Sequence, residues 1–228
     1  FMGAFHVRYP ERTRELSAFV LELPAFRPLE IYDCNYGKND PGSQFPAEYR
    51  QYIVGTLPFD QIDRAHKGYR YAINLNLIKQ SQSMIDRRVF ELLASNTVTI
   101  SNFSRGLRLL FGDLVISTDS GAEVIRRLKK LTDNEPRSRK FRLAGLRKMM
   151  SEHTYGQRLA YVVSKVSGKV IKQSLPHIAV LAHVENQREL DGIQANYQRQ
   201  RYAHSLLYVI VGEGMVPPVS DDPRVRLL

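Results

Sequence analysis

The stretch Asn74-Leu-Asn-Leu-Ile-Lys-Gln-Ser-Gln-Ser-Met-Ile-Asp-Arg-Arg-Val-Phe-Glu-Leu-Leu-Ala-Ser-Asn-Thr-Val-Thr-Ile-Ser-Asn102 decides the fold. It reads as strand, polar loop, helix and strand. Tyr71 to Leu77 alternates apolar and polar side chains, as a strand does. Residues 84–95 put Ile85, Val89, Leu92 and Leu93 on one stripe at helical spacing, and residues 97–100 return to β-branched side chains. A loop between a parallel strand and its helix sits where open α/β sheets bind ligands. Ser81 or Ser83 is expected to cap the helix, leaving free N–H groups that favour phosphate. Arg87, Arg88 and Glu91 lie off the buried stripe. Arg87 and Glu91 are one turn apart, so spacing alone reads them as a surface ion pair.

The same alternation repeats on both sides. Short β-rich runs are expected at 3–6, 29–32, 52–55 and 113–117. Helices are expected at 11–23 and 59–65, and from 121 to about 166. Strands alternating with helices predict a parallel sheet covered on both faces, a Rossmann-like α/β fold. Residues 167–176 read as a linker. Residues 177–182, 187–198, 206–211 and 225–228 then read as strand, helix, strand and the start of a third strand. The expected division is therefore a domain at 1–166, a linker at 167–176 and a partial α/β unit at 177–228. Both ends look like cuts inside a larger protein.

Of the 228 residues, 43% are hydrophobic, which suits a packed core, and no apolar run approaches the ~20 residues of a membrane span. The single cysteine, Cys34, cannot form an internal disulfide, so a reducing, cytoplasmic setting is expected. Net charge is +10, and ten Lys or Arg against three acids lie between Glu123 and Lys148. Such a run suits solvated helix faces or peripheral contact with an anionic membrane. Only Phe141 is interleaved with it, which disfavours nucleic acid as a partner. The six His residues show no His-Glu-x-x-His spacing, and His153 reads as a packed side chain. No Gly-x-Gly-x-x-Gly, phosphate-loop or Gly-x-Ser-x-Gly motif occurs, against dehydrogenase, ATPase and hydrolase readings.

The run from Arg87 to Gly106, Arg-Arg-Val-Phe-Glu-Leu-Leu-Ala-Ser-Asn-Thr-Val-Thr-Ile-Ser-Asn-Phe-Ser-Arg-Gly, resembles the CgeB-like spore-maturation glycosyltransferases. Arg8-Tyr-Pro-Glu-Arg12, residues 31–37, 52–59 and 67–76, and Glu152-His-Thr-Tyr155 with Arg158 follow that family's order. The resemblance implies the carboxyl-terminal, nucleotide-sugar-binding half of a GT-B enzyme of cell-surface polysaccharide biosynthesis, hexosyltransferase-like. It would use a nucleoside-diphosphate sugar as donor, with no covalent cofactor and no metal in the first domain. It implies that Glu91 grips the ribose, that Arg8, Arg12, Arg87 and Arg88 hold the diphosphate, and that Pro58 lies near the base. Asn76, or Asn74, would reach the ligand cleft. Ser83 stands where relatives carry a second Glu near the donor sugar. Asn96 replaces a small Gly before Thr97, so that turn is expected to differ. Residues 176–214 resemble, more weakly, the start of a GT-A family-2 glycosyltransferase, without its Asp-x-Asp metal motif. The acceptor, whether glycan, lipid or protein, would bind largely in a missing amino-terminal domain, so the isolated chain is expected to transfer sugar poorly. The alternatives are a non-catalytic nucleotide-binding or scaffold module and a basic nucleic-acid-binding protein.

Overall fold

A computed structural model describes residues 1–5, 7–38, 40–171, 175–215 and 222–228. His6 of the first expected strand, Ser174 of the expected linker and Asp221 of the expected Asp221-Asp222 turn lie outside the described residues. The chain forms two compact units, Phe1–Leu159 and Ala160–Leu228.

The first unit alternates β1 (Met2–Gly3), α1 (Pro10–Val20), β2 (Ile31–Asp33), β3 (Ile53–Gly55), α2 (Ile62–Gly68), β4 (Tyr71–Asn74), α3 (Arg87–Ala94), β5 (Val98–Ser101), α4 (Arg105–Phe111), β6 (Ile116–Ser117), α5 (Gly121–Thr132) and α6 (Glu135–Glu152). All ladders are parallel. One half-sheet has the order β1-β2-β3 and the other β4-β5-β6. Set end to end as 3-2-1 and 4-5-6, they give the strand order of a doubly wound fold. No ladder joins β1 to β4 among the described residues. The fold is α/β and Rossmann-like.

One buried core holds the two half-sheets together. Ile31 of the first and Ile73, Ile100 and Ile116 of the second pack with Leu16, Phe19 and Val20 of α1 and Val124 and Leu128 of α5. On the opposite face Val89 and Leu93 of α3 pack with Leu107 and Phe111 of α4. α5 begins tight against α1: a Cβ on Gly121 would lie 2.6 Å from the Ala18 carbonyl oxygen. That partner is backbone, which cannot swing aside. Gly121→Ala is therefore expected to push the helices apart and destabilise the unit by about 1–3 kcal/mol, read as a lower urea midpoint at unchanged slope. A midpoint equal to wild type would refute the close approach.

α7 (Tyr155–Ser167) runs across the division at Leu159. The second unit contains β7 (Ile178–Val184), α8 (Gln187–Gln198), β8 (Ser205–Val211) and β9 (Val225–Leu227). Its three strands are parallel in the order β7-β8-β9. Its own small core is Val184, Leu190, Tyr197, Leu207, Val209 and Val225. No helix among the described residues is long and apolar enough to cross a membrane.

Candidate functional site

The carboxyl ends of β4, β5 and β6 are tied by buried side-chain amides and hydroxyls. Beyond the last ladder pair, the Asn76 N–H donates to Asn102 Oδ1 at 2.8 Å, and Asn102 Nδ2 donates to the Asn76 carbonyl at 3.0 Å. The Asn102 amide thus replaces a peptide group, since it offers the same donor and acceptor. Asn76 Nδ2 donates to Ser101 Oγ at 2.9 Å, while its Oδ1 accepts the Asp86 N–H at 3.0 Å. Asn76 therefore fixes where the next helix starts. Asn74, one pleat earlier, is fully buried, and its side-chain amide has no hydrogen-bond partner among the described residues.

That start is later than the serines suggest. Asp86 is the cap of α3, and its carboxylate accepts the Arg88 N–H. Neither Ser81 nor Ser83 caps the helix. Ser81 Oγ instead accepts the N–H groups of Ser83 and Met84, a local turn that competes with helix. Ser83 is exposed. At the far end of α3, Asn96 takes φ +58°, the left-handed region that glycine enters most easily and that Asn tolerates.

A charged cluster pins the loop between β4 and α3. Lys79 Nζ lies 2.5 Å from Glu15 Oε1 of α1 and 2.6 Å from Asp119 Oδ2 after β6. Glu15 Oε2 accepts Asn102 Nδ2 at 2.6 Å, and Asp119 Oδ1 accepts the Phe103 N–H at 2.8 Å. Burial pulls the Lys79 pKa down, but the bonds to Asp119 and Glu15 outweigh it, and the net shift is upward.

Beside this loop, α2 and the first turns of α3 wall a cleft of about 510 Å³. Arg87, Arg88 and Glu91 line it, with His66, Phe59 and Tyr155 among the other walls. Arg87 Nε lies 2.8 Å from Glu91 Oε1, and the Glu91 side chain is 36% exposed. Arg88 reaches back so that its Nη1 donates to the Met2 carbonyl at 2.6 Å. Arg12, on the first turn of α1, is half-buried and has no ion pair among the described residues. Burial lowers its pKa, opposed by the nearby Asp86 carboxylate and reinforced by Arg88. The guanidinium therefore sits beside the start of α3. Asn76 lies beneath that start. Pro58 is exposed and precedes the turn that delivers Phe59. Arg8 is exposed and acts electrostatically on Asp40, outside the cleft lining.

Phe59 and Tyr155 end two of the resembling segments, 52–59 and 152–155, but the resemblance gives them no role, and His66 carries no motif. His66 is buried, and its Nε2 has no hydrogen-bond partner among the described residues. His153 is packed edge-on to Phe90 and Phe111, with ring centroids 5.8 and 5.4 Å away. An apolar cavity of about 370 Å³ lies at the opposite, amino-terminal strand edge, around Leu29, Tyr71 and Leu128. Arg87, Arg88 and Glu91 are not in its lining, and it is not the candidate site. No group of three or more His, Cys, Asp or Glu able to hold a metal occurs among the described residues.

The glycosyl transferase-like family matches residues 22–164, more than half of the chain. The chain belongs to the glycosyl transferase-like family. The match spans Phe59, Arg87, Arg88, Glu91 and Tyr155, whereas Arg8 and Arg12 precede it. Among curated proteins, none matches the chain.

In this glycosyltransferase-type unit buried His66 and partly buried His153 carry a pH prediction. Burial is the first cause that lowers the pKa of both His66 and His153 from 6.5. The unfolded chain then binds protons below about pH 6.5 that the folded chain does not. Their stabilising contribution is full above that pH and is lost as pH falls from it through the lower folded values. The melting temperature is expected to drop as pH falls below about 6.5. His66→Gln with His153→Phe should flatten that slope. The ion-paired carboxylates act lower, since Asp63 and Glu152 are held below their usual values of 3.8 and 4.5. An unchanged slope in the double variant would assign the acid sensitivity elsewhere.

Proposed function

We propose that the cleft beside α3 binds a nucleoside-diphosphate sugar and that the whole protein transfers the sugar to a hydroxyl acceptor. One observation carries the reading: Glu91, Arg87 and Arg88 line one cleft beside α3, and half-buried Arg12, which feels both Asp86 and Arg88, makes no ion pair among the described residues. A carboxylate accepts from both ribose hydroxyls. Guanidinium groups and a helix start together suit a diphosphate, which departs as an anion. Phe59, 80% exposed beside Pro58, offers a face to a base. Asn76 acts from below by holding Asp86 and the α3 start in place. The ordered motifs favour a CgeB-like member, and the β7-β8-β9 order is compatible with the opening of a GT-A-like unit.

Calorimetry with uridine, guanosine and thymidine diphosphates tests the reading on the chain as it stands. At least one should bind, and pyrophosphate should compete with it. Exposed Ser83, off the cleft lining, favours a second reading in which the unit binds nucleotide without catalysis. Binding without turnover in the full-length protein would select that reading, and no binding at all would remove both.

A further inference from the structure

The basic run leaves its own concavity, separate from the cleft and independent of the reading given to it. The second half of α5 and the first half of α6 wall a cavity of about 580 Å³ beside the start of β6. Its floor is apolar, built by Leu114, Leu131 and Phe141. Its rim is cationic but for the exposed Asp113. Arg126, Arg127 and Lys130 come from α5 at helical spacing, and Arg137 and Lys140 come from one face of α6, which also presents Phe141 and Ala144.

The charges are unequal in their compensation. Arg126 makes two 2.6 Å bonds to Glu123, and Arg127 lies 3.2 Å from Asp113 and 3.3 Å from Glu123. Lys130, Arg137 and Lys140 have no acidic partner among the described residues. Three unneutralised cations converging on one hollow repel each other and raise the local potential for an anion. A solvated helix face would scatter them.

We propose that this cavity seats an anionic phospholipid of a membrane surface, its phosphate among Lys130, Arg137 and Lys140 and the top of its acyl chain on the apolar floor. A free inorganic anion would leave that floor unused. Nucleic acid would find a single aromatic, Phe141, where stacking needs a series.

Co-sedimentation of the whole chain with phosphatidylcholine vesicles, with and without phosphatidylglycerol, tests this. Binding is expected only with phosphatidylglycerol. It should weaken about fivefold in each of Lys130→Ala, Arg137→Ala and Lys140→Ala. Lys129→Ala and Arg147→Ala remove cations of the same run that do not line the cavity, and should change little. Ala144→Phe fills the floor at constant charge and should weaken binding as the rim variants do. Should Ala144→Phe fail to fold, the contrast between the two cation sets still decides. Equal losses in both sets mean diffuse adsorption and overturn the proposal. So does binding indifferent to phosphatidylglycerol, full competition by soluble glycerol phosphate, or tighter binding to RNA than to vesicles.

Discussion

Asn102→Leu is expected to destabilise the first unit by about 3–5 kcal/mol, enough to unfold a protein of ordinary marginal stability. The side chain is wholly buried, and the shapes of Asn and Leu are close, so lost packing is a small part of the effect. The main loss is polar. Without the amide, the Asn76 N–H and carbonyl lose both partners, and Glu15 Oε2 loses a donor at 2.6 Å. Each unsatisfied buried group costs about 1–3 kcal/mol, more where it is charged. Asn102→Asp keeps an acceptor for the Asn76 N–H but turns a second carboxylate toward Glu15. It should therefore also destabilise, and less so as pH falls toward carboxylate protonation. Urea denaturation of the three proteins checks this. A Leu variant within about 1 kcal/mol of wild type would mean that the amide does not bridge the strand ends.

What the residue string reveals depends on how local each cause is. The buried stripe of α3 is legible because Val89, Leu92 and Leu93 recur at helical spacing, and all three are buried. Its first turn is not, because Ser81, Ser83 and Asp86 are all competent caps and the choice is made by Asn76, ten residues upstream. α4 escapes notice since it is seven residues long, too short for a periodic signal. The same rule separates the site residues. Arg87 and Glu91 pair within one helix, so their contact is readable from spacing. Lys79 meets Glu15 and Asp119 across sequence separations of 64 and 40 residues, which only the parallel crossovers bring together. Arg12 comes within electrostatic reach of Asp86 and Arg88 by the same route, whereas Arg8, four residues earlier in the same motif, is exposed and outside the cleft lining. A motif specifies which residues are present. The direction each side chain takes is decided by strand order and by the helix start.

Glu91→Ala should lower nucleoside-diphosphate affinity about 10- to 100-fold, the worth of a charge-assisted hydrogen bond to the ribose. Affinity for inorganic pyrophosphate should not fall. The reason is the pair at 2.8 Å: removing the carboxylate frees Arg87, which then stands in the cleft as an uncompensated cation. Arg12→Ala should behave differently and weaken nucleotide and pyrophosphate alike, because its half-buried guanidinium, near Asp86 and Arg88, would meet the phosphates and not the ribose. Glu91→Gln separates charge from geometry. It keeps one carbonyl acceptor and releases most of the hold on Arg87, so it should fall between wild type and Glu91→Ala for nucleotide. The Arg87–Glu91 pair itself is solvent-exposed and contributes little to folding, so both Glu91 variants should melt near wild type. A proportional loss of pyrophosphate and nucleotide in Glu91→Ala would place this carboxylate outside the ribose contact and return it to a surface ion pair.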